Sequence, residues 1–290
     1  MSLHLEKLSF TYQLGTPFER TALSGLNLFI NDGEFVGITG ESGSGKSTLL
    51  EILSGLLFPF SGKLRLDTEI INSGRRKSLE RLRQKVGLVF QFPEEQIFEK
   101  QVYDEIAFGP RNLGLSHSEV DERVREAMAS MGLGFENYRL RRCHILSSGE
   151  KRRLAIAAIL AMKPQVLLLD EPAVGLDYEG RQALLQCLSY LNREKRISII
   201  MVSHHYQQLL ASCPRIILLD KGQLILDAAS SSWLEYLDFL MQKGWKLTAS
   251  QELVYRLMQK GWEFSSSPRS PEETARAVVD FIRRSRPGRG

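Results

Sequence analysis

Cysteine and long apolar segments are scarce in this chain. Of its 290 residues only three are cysteines, and the wide spacing of Cys143, Cys187 and Cys213 argues against a disulfide framework or a cysteine metal site and favours a reducing compartment. No apolar run reaches the length of a membrane span. The largely apolar segments 197–202 and 216–219 predict buried strands.

A strong charge of one sign is also absent. Lysine and arginine number 38 against 34 acidic residues, which leaves a net charge of +4. Basic clusters at residues 139–142 and 283–289 are not interleaved with aromatic side chains, so we expect solvated surface, or contact with lipid head groups or an acidic partner, and no nucleic acid. The length and the 43% hydrophobic content suit one large α/β domain with an appendage.

A glycine-rich loop between a predicted strand and a predicted helix carries the clearest motif. Residues 40–48 fit the phosphate-loop pattern, in which glycines let backbone N–H groups curl round phosphates. We expect Lys46 to supply positive charge, Ser47 to coordinate Mg²⁺ and Thr48 to support the α-phosphate. The predicted nucleotide-binding residues are Gly40, Glu41, Ser42, Gly43, Ser44, Gly45, Lys46, Ser47 and Thr48.

Polar residues also follow three other predicted strands. Asp170 can hold Mg²⁺, and Glu171 can act as general base towards the attacking water. Gln91 can place its amide oxygen at the metal, and His204 can hydrogen-bond the γ-phosphate and contribute to catalysis. Each of these residue types, taken alone, more often has a structural role. The phosphate loop in the same chain is what favours a functional role for the set. The predicted metal ligands are Ser47, Gln91 and Asp170.

A second anion-binding element precedes the strand of Asp170. Residues 146–150 read Leu-Ser-Ser-Gly-Glu and open a predicted helix, whose N-terminal N–H groups and dipole favour a negative ligand. Two phosphate-facing elements in one chain suggest ATP held between two copies of the protein.

Together with Tyr12, these motifs resemble the ATP-binding cassette (ABC) ATPases over residues 3–226. The resemblance implies an α/β fold with a RecA-like P-loop core, an antiparallel β subdomain and a helical subdomain at about residues 92–160. It implies that Tyr12 stacks on the base and that two subunits, identical or different, enclose two ATP molecules. Residues that would contact the partner's ATP are Ser147, Ser148, Gly149 and Glu150, and Asp177 would communicate across the dimer.

Residues 90–99 and 106–114 resemble more narrowly the ATPase of energy-coupling factor (ECF) transporters, and the loop at 15–19 resembles its second type. This implies ATP hydrolysis that powers import of a vitamin or of cobalt or nickel ions at the cytoplasmic face of the cell membrane. The implied partners are a second ATPase subunit, a transmembrane coupling protein and a membrane-embedded substrate-binding subunit. We expect the coupling protein to dock near Phe92, Ile97 and Phe98; the alternative is that these side chains pack internally.

The chain divides into an ABC domain, residues 1–227, and a helical extension, residues 228–290, that the resemblance links to dimerisation. Within the extension, Leu-Met-Gln-Lys-Gly-Trp occurs at 240–245 and again at 257–262, and each copy is typical of a helix end capped by glycine. A last helix begins at Ser270 and Pro271. Its expected apolar face consists of Ala275, Val278, Val279 and Ile282.

Two residues depart from the usual family sequence Leu-Ser-Gly-Gly-Gln. Ser148 adds a side chain, and Glu150 would repel a triphosphate unless Lys151 or Arg152 offset it. We therefore expect one of the two ATP sites to be slower. Two alternatives stay open: a low-activity ATP-binding partner in a heterodimer, and a non-transport ABC ATPase that acts on chromosomes or ribosomes.

Overall fold

The computed structural model describes residues 1–59, 61–71, 76–245, 247–264, 267–268 and 270–285. Part of the predicted linker, at 265–266 and 269, and the end of the basic tail, at 286–290, lie outside the described residues. The strands are β1 (Leu3–Tyr12), β2 (Arg20–Ile30), β3 (Phe35–Thr39), β4 (Ser61–Leu66), β5 (Glu69–Ile71), β6 (Val86–Val89), β7 (Val166–Asp170), β8 (Ser198–Val202), β9 (Arg215–Asp220) and β10 (Gln223–Ala229). The helices are α1 (Lys46–Leu53), α2 (Arg76–Lys85), α3 (Val102–Asn112), α4 (His117–Ser130), α5 (Phe135–Tyr138), α6 (Ser148–Leu160), α7 (Tyr178–Arg193), α8 (Tyr206–Ser212), α9 (Leu237–Gln242), α10 (Ala249–Gln259) and α11 (Pro271–Ser285), with 3₁₀ turns at Pro93–Gln96, Cys143–Ile145 and Ser230–Tyr236.

The larger sheet places the functional strands side by side. Its order is β10-β9-β3-β8-β7-β6, and all pairs except the β9–β10 hairpin are parallel. Strands β3 and β8 are buried throughout, as is typical of largely apolar parallel strands that are covered on both faces. Because the carboxyl ends of parallel strands meet at one edge, the segments that follow β3, β6, β7 and β8 lie together there.

A smaller antiparallel sheet covers the phosphate-loop helix. Its order is β2-β1-β4-β5, and alternate residues of β1, such as Leu3 and Leu5, are fully buried. They share a core with Leu49 and Ile52 of α1 and with Ile38 of β3. This layer holds β1, and with it Tyr12, against the start of α1.

The helices α3 to α6 occupy much of the region predicted as a helical subdomain. Val124 and Met128 of α4 and Leu154 of α6 are fully buried. They belong to the same core as Leu167 of β7 and Ile199 of β8. The α/β fold class, with its antiparallel and helical layers around a P-loop sheet, is confirmed.

The two copies of Leu-Met-Gln-Lys-Gly-Trp end α9 and α10 in the same way. Gly244 and Gly261 both have φ of 83°. The N–H groups of Trp245 and Trp262 donate to the carbonyls five residues earlier, at 3.0 Å in each case. This six-to-one bond is the Schellman motif, so the interpretation of the repeat as helix-end chemistry is confirmed.

The start of the extension shares its core with the ATPase region. Trp233 is only 2% exposed and stacks on Tyr206 of α8, with ring centroids 6.3 Å apart. Leu237 and Leu240 join the same buried cluster. The predicted division after residue 227 falls within β10, which ends at Ala229.

The prediction of the apolar face of α11 is wrong: the buried face is displaced by about one residue from the expected one. Val279 and Ile282 are 44% and 41% exposed, whereas Thr274 is buried and Phe281 stacks on Trp262 with ring centroids 3.9 Å apart. The stack of two aromatic rings, a favourable contact for large apolar side chains, turns the face that carries Phe281 inward. The aliphatic residues Val279 and Ile282 are left facing outward.

Candidate functional site

The phosphate loop joins β3 to α1 and wraps round a lysine. Lys46 Nζ donates to the carbonyls of Gly40 and Glu41, both at 2.8 Å. Gly45 has φ of 101°, and a Cβ there would lie 2.5 Å from the carbonyl oxygen of Ala22, so only glycine fits. Burial lowers the pKa of Lys46, and the nearby Glu171 and Asp170 carboxylates oppose that change.

Asp170 ends β7 beside the phosphate loop. Burial raises the pKa of Asp170, while a hydrogen bond from the Ser47 side chain lowers it. Gln91, just after β6, lines the same cavity. A hydroxyl, a carboxylate and an amide oxygen form a set of hard oxygen donors, and this is the donor chemistry that Mg²⁺ prefers. The residues present therefore fit a magnesium ion.

Glu171 follows Asp170 in a left-handed conformation, with φ of 50°. Its Oε1 accepts the backbone N–H of His204 at 2.7 Å and lies 2.8 Å from His204 Nδ1. Its Oε2 is buried and makes no hydrogen bond within the described part of the chain. Since an unpaired buried carboxylate oxygen is unfavourable, this oxygen has the capacity to accept a hydrogen bond from a bound water.

These groups surround one cavity of about 390 Å³, within the usual range for small-molecule sites, roughly 300–1,000 Å³. Gly40, Glu41 and Ser44 are not among its lining; the first two hold Lys46 through their carbonyl oxygens. The predicted residues that line it are Tyr12, Ser42, Gly43, Gly45, Lys46, Ser47, Thr48, Gln91, Asp170, Glu171 and His204.

The cavity also contains residues that the sequence did not single out. Arg20 and Ala22, at the start of β2, line it beside Tyr12. No motif marks them, because they reach the loop only through the packing of the smaller sheet. Tyr12 is 37% exposed, and its hydroxyl lies 3.1 Å from Thr48 Oγ1. An accessible aromatic ring at the rim has the geometry needed for stacking on a base.

The turn at residues 146–150 begins α6 with a capping box. Ser147 Oγ accepts the backbone N–H of Glu150 at 3.3 Å, and Glu150 Oε2 accepts that of Ser147 at 2.8 Å. Tyr138 donates its hydroxyl to Glu150 Oε1 at 2.7 Å. The Tyr138 hydrogen bond is the main cause that lowers the pKa of Glu150. The carboxylate is thus turned towards its own helix.

Of the two cations that could offset Glu150, Lys151 or Arg152, Arg152 does not. Arg152 is 2% exposed and pairs with Glu94, with Nη2 and Oε1 2.6 Å apart. A cation contributing to the lowered pKa of Glu150 is instead Arg141. The cause is helical geometry, because residues two apart on a helix do not share a face.

The remaining predicted contact residues lie away from the cavity of their own chain. Ser147 and Ser148 are exposed and are not part of its lining. Asp177 caps α7 by accepting the N–H of Gly180 at 2.7 Å. An exposed anion-binding turn outside the cavity suits contact with a nucleotide on another chain, and the roles of these residues stay predictions.

The predicted docking segment is partly exposed. Phe92 and Phe98 are 39% and 61% exposed, and the Phe98 ring meets Phe108 edge-to-face at 4.8 Å. Ile97 is partly buried and packs against the main core, and docking at these three side chains stays a prediction. Phe98 and Phe108 border an apolar groove of about 480 Å³ that reaches Met162 after α6.

Comparisons with known proteins identify a family model and close sequence relatives. The model of the family described as ABC transporter matches residues 23–174. The chain is 39% identical over 283 residues to the energy-coupling factor transporter ATP-binding protein EcfA2 of Clostridium perfringens, covering 98% of this chain and 99% of that protein. It is 43% identical to the EcfA2 of Clostridium tetani over 84% of each chain, and 40% identical to that of Streptococcus thermophilus over 96% of this chain and 99% of the relative.

Solved structures agree with the sequence relatives. The cbiO1 protein of Clostridium perfringens, part of the ABC transporter complex cbiONQ, superposes with a TM-score of 0.75 at 33% identity, covering 89% of this chain and 98% of that one. The ATP-binding cassette MJ0796, in a dimeric post-hydrolysis state bound to ADP and Pi, superposes with a TM-score of 0.69 at 30% identity, covering 79% and 98%.

Proposed function

The chain belongs to the ABC transporter family, as an ATPase of the energy-coupling factor type, and we propose that it hydrolyses Mg²⁺-bound ATP to drive import of a micronutrient. The substrate class is a vitamin or a cobalt or nickel ion. The observation that carries the proposal is the convergence of the phosphate loop, Gln91, Asp170, Glu171 and His204 on one cavity. Four different strand ends supply that cavity, and such an arrangement serves phosphoryl transfer.

The oxygen donors Ser47, Asp170 and Gln91 hold the metal ion in this proposal. When bound, Mg²⁺ neutralises phosphate charge and orients the phosphates. Lys46 and the loop N–H groups bind the β- and γ-phosphates. Tyr12 stacks on the base and keeps the nucleotide in register with the loop.

Glu171 acts as the general base. Its Oε1 is held by two contacts with His204, which leaves the buried Oε2 to accept a proton from the attacking water. The His204 side chain, 53% exposed, orients the carboxylate and faces the γ-phosphate. Burial of Glu171 excludes bulk water from the reacting group and strengthens these interactions.

A second ATPase subunit completes each site. We place the turn at residues 146–150 against the ATP of the partner subunit, and Asp177 at the boundary between the subunits. The exposure of Ser147 and Ser148 supports this arrangement. The outward-facing Val279 and Ile282 of α11 support a dimer contact by the extension.

The membrane partners dock at the groove beside Phe98. A transmembrane coupling protein would lay a helix into the apolar groove that Phe98 and Phe108 border, and a membrane-embedded subunit would bind the substrate. Among the described residues, no helix is long and apolar enough to cross a membrane. Through these partners, we propose, the chain binds the cytoplasmic face of the cell membrane.

Purification from detergent-solubilised membranes tests the proposal. We expect integral membrane proteins to co-purify with the chain and ATP turnover to depend on Mg²⁺. Phe98→Ala should reduce that co-purification, whereas Phe29→Ala, which removes an aromatic ring that is 43% exposed on β2, should not. Recovery of ribosomes or DNA in place of membrane proteins would support the non-transport alternative.

A further inference from the structure

One arginine is buried between three functional segments. Arg152 lies on α6, five residues after the exposed Ser147, and is 2% exposed. It makes a forked contact with Glu94, in which Nε donates to Oε2 at 3.1 Å and Nη2 donates to Oε1 at 2.6 Å. Its Nη1 donates to the carbonyl of Pro172 at 3.0 Å and also to that of Val174.

The partners of Arg152 belong to two parts of the proposed machinery, and its own helix begins at a third. Glu94 lies in the 3₁₀ turn Pro93–Gln96, between the exposed Phe92 and Phe98. Pro172 and Val174 follow the base Glu171. The helix that carries Arg152 begins at the turn that would contact the partner's ATP.

The chemistry of the contact makes it rigid. A planar guanidinium that donates two parallel hydrogen bonds to a carboxylate fixes both distance and orientation. A buried charge that loses its partner is strongly unfavourable, so the pair resists separation. Displacement of the Pro93–Gln96 turn is therefore transmitted to Arg152 and, through the helix backbone, to the turn that begins α6.

We propose that the Glu94–Arg152 pair is a positioning link: docking of the membrane subunit beside Phe92 and Phe98 moves Glu94, and Arg152 conveys that movement to the 146–150 turn and to the segment after Glu171. This inference rests on the docking part of the proposed function. Neither residue touches the reacting atoms. The pair sets the placement of groups that do.

The test is a double-mutant cycle in the assembled transporter, purified with its membrane subunits and partner ATPase. Glu94→Gln keeps the size of the side chain and removes its charge, and Arg152→Lys keeps the charge and removes the fork. The readout is the stimulation ratio, which is ATP turnover in the assembled transporter divided by turnover of the ATPase subunits alone. Glu95→Gln combined with Arg152→Lys is the matched control cycle, since Glu95 lies in the same turn.

We expect each of Glu94→Gln and Arg152→Lys to reduce the stimulation ratio by about tenfold or more, the scale of a lost charge-assisted hydrogen bond. The double variant should lose no more than the more severe single variant, because both remove one interaction. In the control cycle, the losses should multiply. Thermal unfolding of each variant monitors whether the fold survives.

Two results would overturn the link. One is that the losses multiply in the Glu94 cycle as they do in the Glu95 cycle. The other is that turnover of the subunits alone falls by the same factor as in the assembly, which would make the pair a fold-stabilising contact only. If the wild-type chain neither recovers membrane subunits nor responds to them, the proposed function itself fails, and this is seen before any variant is measured.

Discussion

Replacing Glu171 with glutamine removes the proposed general base and leaves the other functions of the site in place. The amide keeps the size of the carboxylate, and its oxygen can take the position of Oε1, which contacts His204 N and Nδ1 at 2.7 and 2.8 Å. The amide nitrogen then takes the position of the unpaired Oε2. A neutral amide nitrogen cannot accept a proton from water, so the variant loses base catalysis and little else.

The expected loss of turnover follows from the proposed role of Glu171 as general base. General base catalysis contributes roughly 10²–10⁴-fold in rate, which corresponds to about 2.7–5.4 kcal/mol of transition-state stabilisation at 1.36 kcal/mol for each factor of ten. We expect turnover of Glu171→Gln to fall by that factor. Binding should persist, because Lys46 and the loop hold the phosphates independently. ATP-dependent association with a second ATPase subunit should therefore be retained.

The assay is phosphate release at saturating Mg²⁺-bound ATP in the assembled transporter, with dimerisation followed by light scattering. Glu41→Gln is the matched control, since Glu41 contributes its carbonyl to Lys46 and its side chain is exposed. Turnover of Glu171→Gln within tenfold of wild type would remove Glu171 from the role of base. Loss of ATP-dependent association would show instead that the carboxylate is needed for binding.

Three further predictions concern stability. Gly261→Ala should lower the free energy of unfolding by roughly 1–2 kcal/mol in chemical denaturation, because an L-residue is strained at φ of 83°. Trp233→Ala should cost about 3–5 kcal/mol in the same assay, since the side chain is 2% exposed within the main core. Acidification should destabilise the start of α6: the pKa of Glu150 is held below its usual 4.5, so its stabilisation is present above pH 4.5 and is lost as pH falls through the folded-state pKa. Glu150→Gln should reduce that acid dependence in unfolding measured against pH.

Each of these predictions has a result that contradicts it. Gly134 has φ of −58°, so Gly134→Ala should lack the left-handed strain, and an equal loss at both glycines would exclude strain as the cause. A loss below about 1 kcal/mol for Trp233→Ala would show that the extension does not share the core. An unchanged acid profile for Glu150→Gln would mean that the hydrogen bonds from Tyr138 and Ser147 to the Glu150 carboxylate do not stabilise the start of α6.

The local chemistry of the chain was accessible from its sequence. The glycine-lysine pattern of residues 40–48 predicts a phosphate loop because it specifies backbone conformation, a property of neighbouring residues. The Ser270 cap is likewise local, and Glu273 N–H donates to its hydroxyl at 3.1 Å. Features that depend on contacts between residues far apart in the sequence were harder to predict. The prediction of the apolar face of α11 was wrong because the stack of Phe281 on Trp262 joins α11 to the segment that follows α10.

The sequence by itself determined the family, the order of the motifs and the strands that end in polar residues, because these follow from residue type and short spacing. The tertiary structure alone decided which groups meet. It brought Arg20 into the nucleotide cavity, turned Glu150 towards Tyr138 and buried Arg152 against Glu94, 58 positions away in the chain. Such contacts depend on how the layers of the fold pack. The sequence around a charged residue does not indicate which distant residue will neutralise its charge.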